Sequence, residues 1–182
     1  MRLFRNIGWG LLFGVLTLPV QAAPLTGRVV EVSDGDTVVV LNRGGGRLRI
    51  RMLGLDAPEI AHGGAPGQEP WGTRSRLALQ RLVGGRIVRI EPGVPAMDKY
   101  GRMLALIWSG DRCANLEIVA AGLALAYPRG LSPALQHQFR QAEMTARARG
   151  LAMWQRRGGL AELPGDYRAR ARGGTREPEL AR

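Results

Sequence analysis

An apolar, strand-like run in the middle of the chain ends abruptly in a short turn that carries two carboxylates. Asp56 and Glu59 stand three positions apart in this acid turn, and Arg51 precedes Asp56 by five positions. Pro58 fixes its own backbone φ and pushes Ala57 out of the helical region, so the two acids are expected on a stiff, extended turn. Such a group could hold a cation and a phosphate together, although a solvated surface turn has the same composition.

The strand before the acid turn determines the direction in which Arg51 projects. Arginine and apolar residues alternate over residues 47–52, so Arg51 points away from the apolar face of its strand. Residues 37–41 are rich in β-branched side chains and predict a second strand. The loop between the two strands carries three consecutive glycines, which favour the tight turn of a β-hairpin.

The register of this hairpin brings a third acid to the acid turn. Antiparallel partners mirror each other about the hairpin tip. With the tip near Gly44 and Gly45, residue 36 is paired with a residue near position 53. The sequence therefore predicts that Asp36, which precedes Asp56 by 20 positions, lies beside it in space.

Oxygen atoms are the potential metal ligands that cluster in this sequence. The chain has two histidines and one cysteine, at no spacing that a zinc or copper site uses. The clustered donors are the carboxylates of Asp36, Asp56 and Glu59, together with backbone carbonyls of tight turns. All-oxygen ligation selects hard cations, and a flexible site built on loops suits Ca²⁺ better than Mg²⁺. Asp34 belongs to an ordinary Asp-Gly turn signal and is expected to serve the turn rather than a metal.

Arginines near these acids extend the chemistry from cation binding to phosphodiester hydrolysis. Arg51 lies just before the acid turn, and Arg102 ends the turn before a later strand. Two arginines beside a divalent ion suit a phosphate that gains charge in the transition state, where one preorganised group can supply about 3 kcal/mol. Glu59 is then a candidate to position or deprotonate the attacking water. A protein that only binds nucleic acid has little use for carboxylates facing a phosphate.

The remaining elements predict a small closed sheet with helices. Five short strands, one helix inserted after the third strand and two later helices favour an α+β fold, a five-stranded OB-fold barrel with three helices. Element order alone leaves other topologies open. The other predicted elements are strands at 26–32, 86–91 and 103–108 and helices at 73–83 (N-cap Thr73), from the cap Asn115, and at 133–150 behind the cap Ser132.

The charge of the chain favours an anionic partner. The net charge is +11, and it is +9 once the arginines at positions 2 and 5 are removed. Nucleic acid, an acidic polysaccharide and an anionic membrane surface all remain candidates at this point. Cys113 is the single cysteine, so no intramolecular disulfide is possible, and we expect it to be a buried, small apolar residue.

Both ends of the chain are expected to lie outside the folded domain, which we place at residues 23–154. Residues 1–22 have a basic start, a short apolar stretch and small residues at a cleavage site, which predicts a signal peptide and a secreted or periplasmic protein. An uncleaved membrane anchor is the alternative, and after cleavage no stable membrane insertion is expected. Residues 155–182 are rich in arginine, glycine and alanine, which predicts a disordered basic tail.

Three sequence blocks resemble the signature of the staphylococcal nuclease (thermonuclease) family, in the same order and at similar spacing. They are Ser33–Thr37, Arg51–Glu59 and Asp98–Arg102. The resemblance continues to Trp154 and covers residues 25–154, so that only the two chain ends lie outside it. Three blocks in order are a specific signal, whereas any one of them alone would be weak.

The resemblance implies an OB-fold barrel with three helices and Ca²⁺-dependent hydrolysis of DNA and RNA that leaves 3′-phosphates. One Ca²⁺ ion is implied, held by two carboxylates and a backbone carbonyl. The best-known member of the family has threonine where this chain has Ala57, but only the carbonyl is needed there. The implied metal ligands are Asp36, Asp56 and Ala57, the catalytic residues Arg51, Glu59 and Arg102, and the phosphate contacts Lys99, Tyr100 and Tyr127.

Two other functions remain open besides a monomeric nuclease. One is a catalytically inactive OB-fold module that binds nucleic acid, because OB barrels host both binders and enzymes. That hypothesis predicts a missing acid or arginine, and none is missing. The other is a structural envelope protein with acidic partners, which would account for the charge but not for the acids clustered near Arg51.

Overall fold

The computed structural model describes residues 24–173. The expected signal peptide and residues 174–182 lie outside the described residues, so the signal peptide stays a prediction. No helix within residues 24–173 combines the length and the apolar character that crossing a bilayer requires. The elements are, in chain order, β1 (Leu25–Val32), β2 (Thr37–Asn42), β3 (Arg47–Met52), β4 (Gly54–Asp56), α1 (Trp71–Val83), β5 (Ile87–Met97), β6 (Met103–Ser109), β7 (Arg112–Cys113), α2 (Ala114–Ala120), β8 (Leu125–Tyr127), α3 (Pro133–Ala148) and α4 (Pro164–Ala171).

Five of the strands close into a barrel. β3, β2, β1, β5 and β6 pair in that order as antiparallel neighbours, and a parallel pairing of β3 with β6 closes the ring. The predicted α+β fold with a five-stranded OB-fold barrel is therefore confirmed. Within residues 24–173 the α-helices number four rather than the predicted three, because the described part of the basic tail contains α4. The prediction of a disordered tail is thus wrong for residues 155–173.

The alternating pattern of β3 has the structural consequence that the sequence predicts. Ile50 and Met52 are buried in the barrel, Leu48 is half-buried against the same core, and Arg49 on the other face is exposed. Val40 on β2 is buried in the same core. Removal of this apolar surface from water is the main source of the stability that holds the hairpin in place.

The predicted helix start is right for α3 and wrong for α1. Ser132 caps α3 by accepting a hydrogen bond from the Leu135 N–H at 3.5 Å. α1 begins at Trp71 instead of after Thr73, and the Thr73 hydroxyl donates to the Glu69 carboxylate at 2.9 Å. Two residues of the same capping type therefore serve different roles, and the packing of the preceding loop decides between them.

Asn115 is a tertiary link rather than the helix cap that the sequence predicts. Its side chain accepts a hydrogen bond from the Ile107 N–H at 2.8 Å and donates to the carbonyls of Leu53, at 2.8 Å, and Ala105, at 3.1 Å. Asn115 is fully buried, and its one amide bonds three backbone groups beside the barrel closure, of which those of Ala105 and Ile107 are buried. The hydrogen bonds to these backbone groups outweigh the local preference of asparagine for a helix cap.

The residues that lead into the acid turn form a strand that the sequence does not predict. β4 pairs with β8 in a separate two-stranded sheet. Gly54 begins β4 at φ +84°, and a Cβ there would lie only 2.7 Å from the Phe139 ring of α3 and 2.8 Å from Leu131. Only glycine meets both requirements, so Gly54 lets β4 run close to α3 and deliver Asp56 at the end of the strand.

Candidate active site

The hairpin register brings Asp36 to the acid turn, as predicted. Thr37 pairs with Arg51 across β2 and β3, and the Met52 N–H donates to the Asp36 carbonyl at 2.8 Å. The observed partner of residue 36 is therefore residue 52, one position from the predicted 53. Because both strands belong to the barrel, this proximity is fixed by the β-ladder and not by the loops.

Arg51 joins the two aspartates. Its guanidinium lies 2.9 Å from an Asp36 carboxylate oxygen (Nη1 to Oδ2) and 3.1 Å from an Asp56 oxygen (Nη2 to Oδ1). The same Nη1 donates to the carbonyls of Met52 and Leu55, each at 3.2 Å. Only 17% of the Arg51 side chain is exposed. Two acids and two carbonyls thus converge on one largely buried cation, which neutralises much of their mutual repulsion.

Asp36 is held by neutral donors as well. Its Oδ2 accepts a hydrogen bond from the Ala57 N–H at 3.2 Å, and its Oδ1 accepts one from the Thr37 hydroxyl at 3.0 Å. The turn that precedes Asp36 packs against the acid turn so closely that a Cβ on Gly35 would lie 2.6 Å from the Ala57 Cβ. The glycine of the Asp-Gly turn is therefore required for the approach of the two turns.

Asp34 acts within its turn, as expected, and also lines the cleft described below. Its Oδ1 accepts a hydrogen bond from the Asp36 N–H at 2.9 Å. Burial, together with the negative charge of Asp36, raises the pKa of Asp34 to about 7. Asp34 thus adds a carboxyl group that binds a proton more readily than an exposed aspartate does.

Arg168 is the site residue that sequence reasoning missed. It lies on α4, and its Nη2 contacts Asp56 Oδ2 while its Nη1 contacts Glu59 Oε1, each at 2.7 Å. Burial alone would lower the pKa of Arg168, but the hydrogen bonds and charges of Asp56 and Glu59 outweigh it and raise that pKa. No sequence signal distinguishes Arg168 from the other arginines of the basic tail.

Arg102 faces the acids from the other side of the cleft. Its guanidinium Nε donates to Asp98 Oδ2 at 2.8 Å, and its backbone N–H donates to Asp98 Oδ1 at 3.0 Å. Burial acts to raise the pKa of Asp98, but hydrogen bonds from Arg102 and Tyr100 outweigh it and lower that pKa. This local pair orients Arg102 in the turn just before β6.

The three predicted phosphate contacts separate in the structure. Tyr100 is exposed, lines the cleft and lies under the guanidinium of Arg102, 5.6 Å from its ring centroid. The Lys99 ammonium lies 5.1 Å from the same ring. Tyr127 is exposed at the end of β8, where Arg129 lies 5.1 Å from its ring centroid, and it is not among the residues that line the cleft.

The predicted catalytic residues share one open cleft of about 790 Å³. Its walls mix both signs of charge, with arginines in excess over acids, which suits a polyanion that must also meet a carboxylate. Arg49, which the sequence assigns to the outer face of β3, contributes to this excess. The charged residues that line the cleft are Asp34, Asp36, Glu59, Arg49, Arg51, Arg102, Arg168 and Arg172.

The oxygen atoms at the acid turn suit a hard cation, although only a few side chains would act as its ligands. Asp36 and Asp56 meet at Arg51 and offer only oxygen atoms, and the Ala57 carbonyl belongs to the same turn. Among residues 24–173, however, no three or more histidine, cysteine, aspartate or glutamate side chains are grouped for metal binding. An ion here would therefore take two carboxylates, a carbonyl and waters, a set that Ca²⁺ accepts.

Comparison with known proteins relates this chain to nucleases. A family model described as "Staphylococcal nuclease homologue" matches residues 49–156. An "Uncharacterized endonuclease" of Haemophilus influenzae is 33% identical over 71% of this chain and 66% of its own length. A "Thermonuclease" of Staphylococcus intermedius is 32% identical over 70% of this chain and 75% of its own. A "Probable endonuclease LCL3" of Zygosaccharomyces rouxii is 35% identical over 68% of this chain but only 45% of its own.

Proposed function

Because this chain belongs to the staphylococcal nuclease homologue family, we propose that it is a Ca²⁺-dependent nuclease that hydrolyses phosphodiester bonds of DNA and RNA. The products carry 3′-phosphates. The proposed enzyme acts as a monomer in the periplasm or outside the cell, consistent with the predicted signal peptide. The relatives named as endonucleases and a thermonuclease support the reaction class.

One observation carries the proposal: acids and arginines from distant parts of the chain line the same open cleft. Arg51 comes from β3, Glu59 from the acid turn and Arg102 from the turn just before β6. A binding protein needs the arginines, but each carboxylate in the cleft would repel a bound phosphate. Hydrolysis needs both, since a proton must be removed from water while charge on the phosphate is neutralised.

In the proposed mechanism, the residues of the cleft divide the work of one in-line displacement. Asp36, Asp56 and the Ala57 carbonyl would hold one Ca²⁺, and a bound Ca²⁺ would supply positive charge to a phosphate that gains negative charge. Glu59 accepts the proton of the attacking water. Arg51 and Arg102 hold the phosphoryl oxygens and neutralise them as the bond to the 5′-oxygen breaks, leaving the phosphate on the 3′-oxygen. The departing 5′-oxygen takes up a proton from solvent water in the open cleft. Lys99, Tyr100 and Tyr127 contact neighbouring phosphates.

A cleavage assay tests the proposal directly. The purified protein is incubated with plasmid DNA, single-stranded DNA and RNA, in Ca²⁺ or in a chelator, and the products are tested for 3′-phosphate ends. We expect cleavage that requires Ca²⁺ and leaves these ends. Tight binding of the substrates without cleavage in any divalent ion would instead favour the catalytically inactive OB-fold module. A matched Glu59→Gln sample excludes a contaminating nuclease.

A further inference from the structure

The chain beyond the predicted domain docks beside the acid turn. Three hydrogen bonds attach this C-terminal segment, residues 155–173, to the loop before α1 and to α1 itself. The Gly67 N–H donates to the Tyr167 hydroxyl at 3.0 Å, and the Gln68 side chain donates to the Glu162 carbonyl at 2.6 Å. The Trp71 indole donates to the Gly158 carbonyl at 3.2 Å.

These attachments place the Arg168 guanidinium between two carboxylates that the proposed reaction needs. Arg168 contacts Asp56 Oδ2 and Glu59 Oε1, and Arg51 already contacts Asp56 Oδ1. Both carboxylate oxygens of Asp56 therefore face a guanidinium. Arg168 is also held in place, because only 32% of its side chain is exposed and Tyr167 beside it is buried.

Arg168 opposes both roles that the proposed function gives to these acids. A divalent cation on Asp56 would lie within a few ångströms of the guanidinium, and the two positive charges repel each other. The proposed reaction needs Glu59 open to the attacking water, and the Arg168 guanidinium occupies its carboxylate instead, with Nη1 2.7 Å from Oε1. In this arrangement Arg168 occupies the place of a cation beside Asp56.

Resting on the proposed function, we propose that the C-terminal segment is an autoinhibitory latch that Ca²⁺ and nucleic acid open together. The Arg168 guanidinium occupies the carboxylates of Asp56 and Glu59 until a divalent ion displaces it. Nucleic acid contributes to opening through Arg172 of the same segment, which already lines the cleft where a phosphate would bind. Gln68 links the latch to the acid turn, because it donates to the Glu162 carbonyl and its Oε1 accepts from the Glu59 N–H at 3.2 Å.

Calcium binding measured by isothermal titration calorimetry tests the latch without requiring catalysis. The samples are the full chain, the variant Arg168→Ala and the matched control Arg170→Ala, whose guanidinium pairs with Glu162 on the exposed side of the same helix. We expect Arg168→Ala to bind Ca²⁺ at least about tenfold more tightly, because a unit charge about 5 Å from a divalent ion is removed. The control changes the dissociation constant by less than about twofold.

Other outcomes separate the latch from the proposed function. Unchanged or weaker Ca²⁺ binding by a folded Arg168→Ala protein would overturn the latch while leaving a metal-dependent nuclease intact. Absence of Ca²⁺ binding in all three proteins would refute both. Thermal unfolding of each sample without Ca²⁺ verifies that the variants are folded.

The Ca²⁺ dependence of cleavage gives a second, signed readout. With the latch, Arg168→Ala reaches its half-maximal rate at about tenfold less Ca²⁺ than the parent protein, and the two rates converge at saturating Ca²⁺. Arg168→Lys, which keeps the charge but not the planar fork, falls between them. A rate that is lower for Arg168→Ala at every Ca²⁺ concentration would instead make Arg168 a residue that assists catalysis, and would overturn the latch.

Discussion

Asp56 is held by two arginines that reach it from different regions of the molecule, the barrel and the C-terminal segment. Arg51 comes from β3, five residues away, and contacts two carboxylates and two carbonyls. Arg168 comes from α4, 112 residues away, and contacts two carboxylates only. The Arg51 side chain is 17% exposed and the Arg168 side chain 32%. Asp56 thus forms one ion pair with an arginine inside a β-ladder and a second ion pair with an arginine on a docked helix.

The difference indicates that the contact of Arg51 belongs to the fold, whereas the contact of Arg168 can be broken. Removal of Arg51 requires the loss of buried partners within the barrel, where strand pairing on both sides holds it. Arg168 is attached through a short segment and a few hydrogen bonds, so it can leave while the barrel stays closed. A barrel residue is therefore suited to a permanent site and a segment residue to its regulation. Four experiments test this contrast.

The largest effect is expected from Arg51→Ala, which removes the barrel partner. Asp36 and Asp56 would be left largely buried with less compensation, and we expect a loss of about 3–5 kcal/mol in the free energy of unfolding. Urea denaturation measures it. Arg49→Ala on the exposed face of the same strand is the control, with a change within about 0.5 kcal/mol. A loss below about 1 kcal/mol for Arg51→Ala would mean that the barrel pair is as replaceable as the segment pair.

Glu59→Gln removes the proposed base and keeps its hydrogen bond to Arg168. We expect the cleavage rate at saturating Ca²⁺ to fall by at least about 100-fold, because an amide does not accept the proton of water. Glu162→Gln is the control within the segment, since that carboxylate pairs with exposed Arg170, and its rate should stay close to that of the parent protein. Equal rates for Glu59→Gln and the parent protein would exclude Glu59 as the base.

Tyr167→Phe loosens the segment and leaves the barrel intact. The lost hydrogen bond from the Gly67 N–H to the Tyr167 hydroxyl should destabilise docking by about 1 kcal/mol. Hydrogen exchange of backbone amides is the measurement. Residues 164–171 should exchange roughly fivefold faster, whereas β1, β2 and β3 keep their protection. If protection fell equally in the barrel, segment and barrel would unfold as one unit and the contrast would be lost.

The smallest effect on stability is expected when Asp98 is replaced, because its ion pair with Arg102 is local. Its pKa is lowered in the folded protein, so the pair stabilises the fold fully above the unfolded value of 3.8 and stops doing so as the pH falls through the lower folded value. Compared with Asp98→Asn, the parent protein should be more stable by less than about 1 kcal/mol at pH 6, and the difference should vanish in acid. Urea midpoints measured from pH 6 to pH 2 give this difference, and a pH-independent one would contradict the assignment.

The barrel half of the site could be predicted because its geometry is local. Alternation in residues 47–52 sets the face of Arg51, and the glycine-rich loop sets the hairpin tip, so the position of Asp36 beside Asp56 follows within one residue. Strand pairing has a period of two and a fixed mirror at the turn, which leaves few alternatives. The cap at Ser132 was predictable for the same reason, since its partner lies three residues away.

The other predictions were wrong because they depend on packing between residues that lie far apart in the sequence. Asn115 has the type of a helix cap, but its amide instead bonds three backbone groups on β6 and before β4, and only the closed barrel brings these groups to it. The segment that carries Arg168 has the composition of a disordered tail, but a hydrogen bond from a loop 100 residues earlier helps to dock it. Amino-acid composition does not show where on the fold a segment can dock.

The sequence by itself determined the hairpin of β2 and β3, its register and the position of Asp36 beside the acid turn, because each depends on neighbours in the chain or on strand periodicity. Element order alone left the closure of the barrel open. Tertiary structure alone decided that a second arginine, from α4, closes on Asp56 and Glu59. One guanidinium among the many in this chain becomes special only when a helix docks at the right distance, and docking depends on shape and on hydrogen bonds between remote segments.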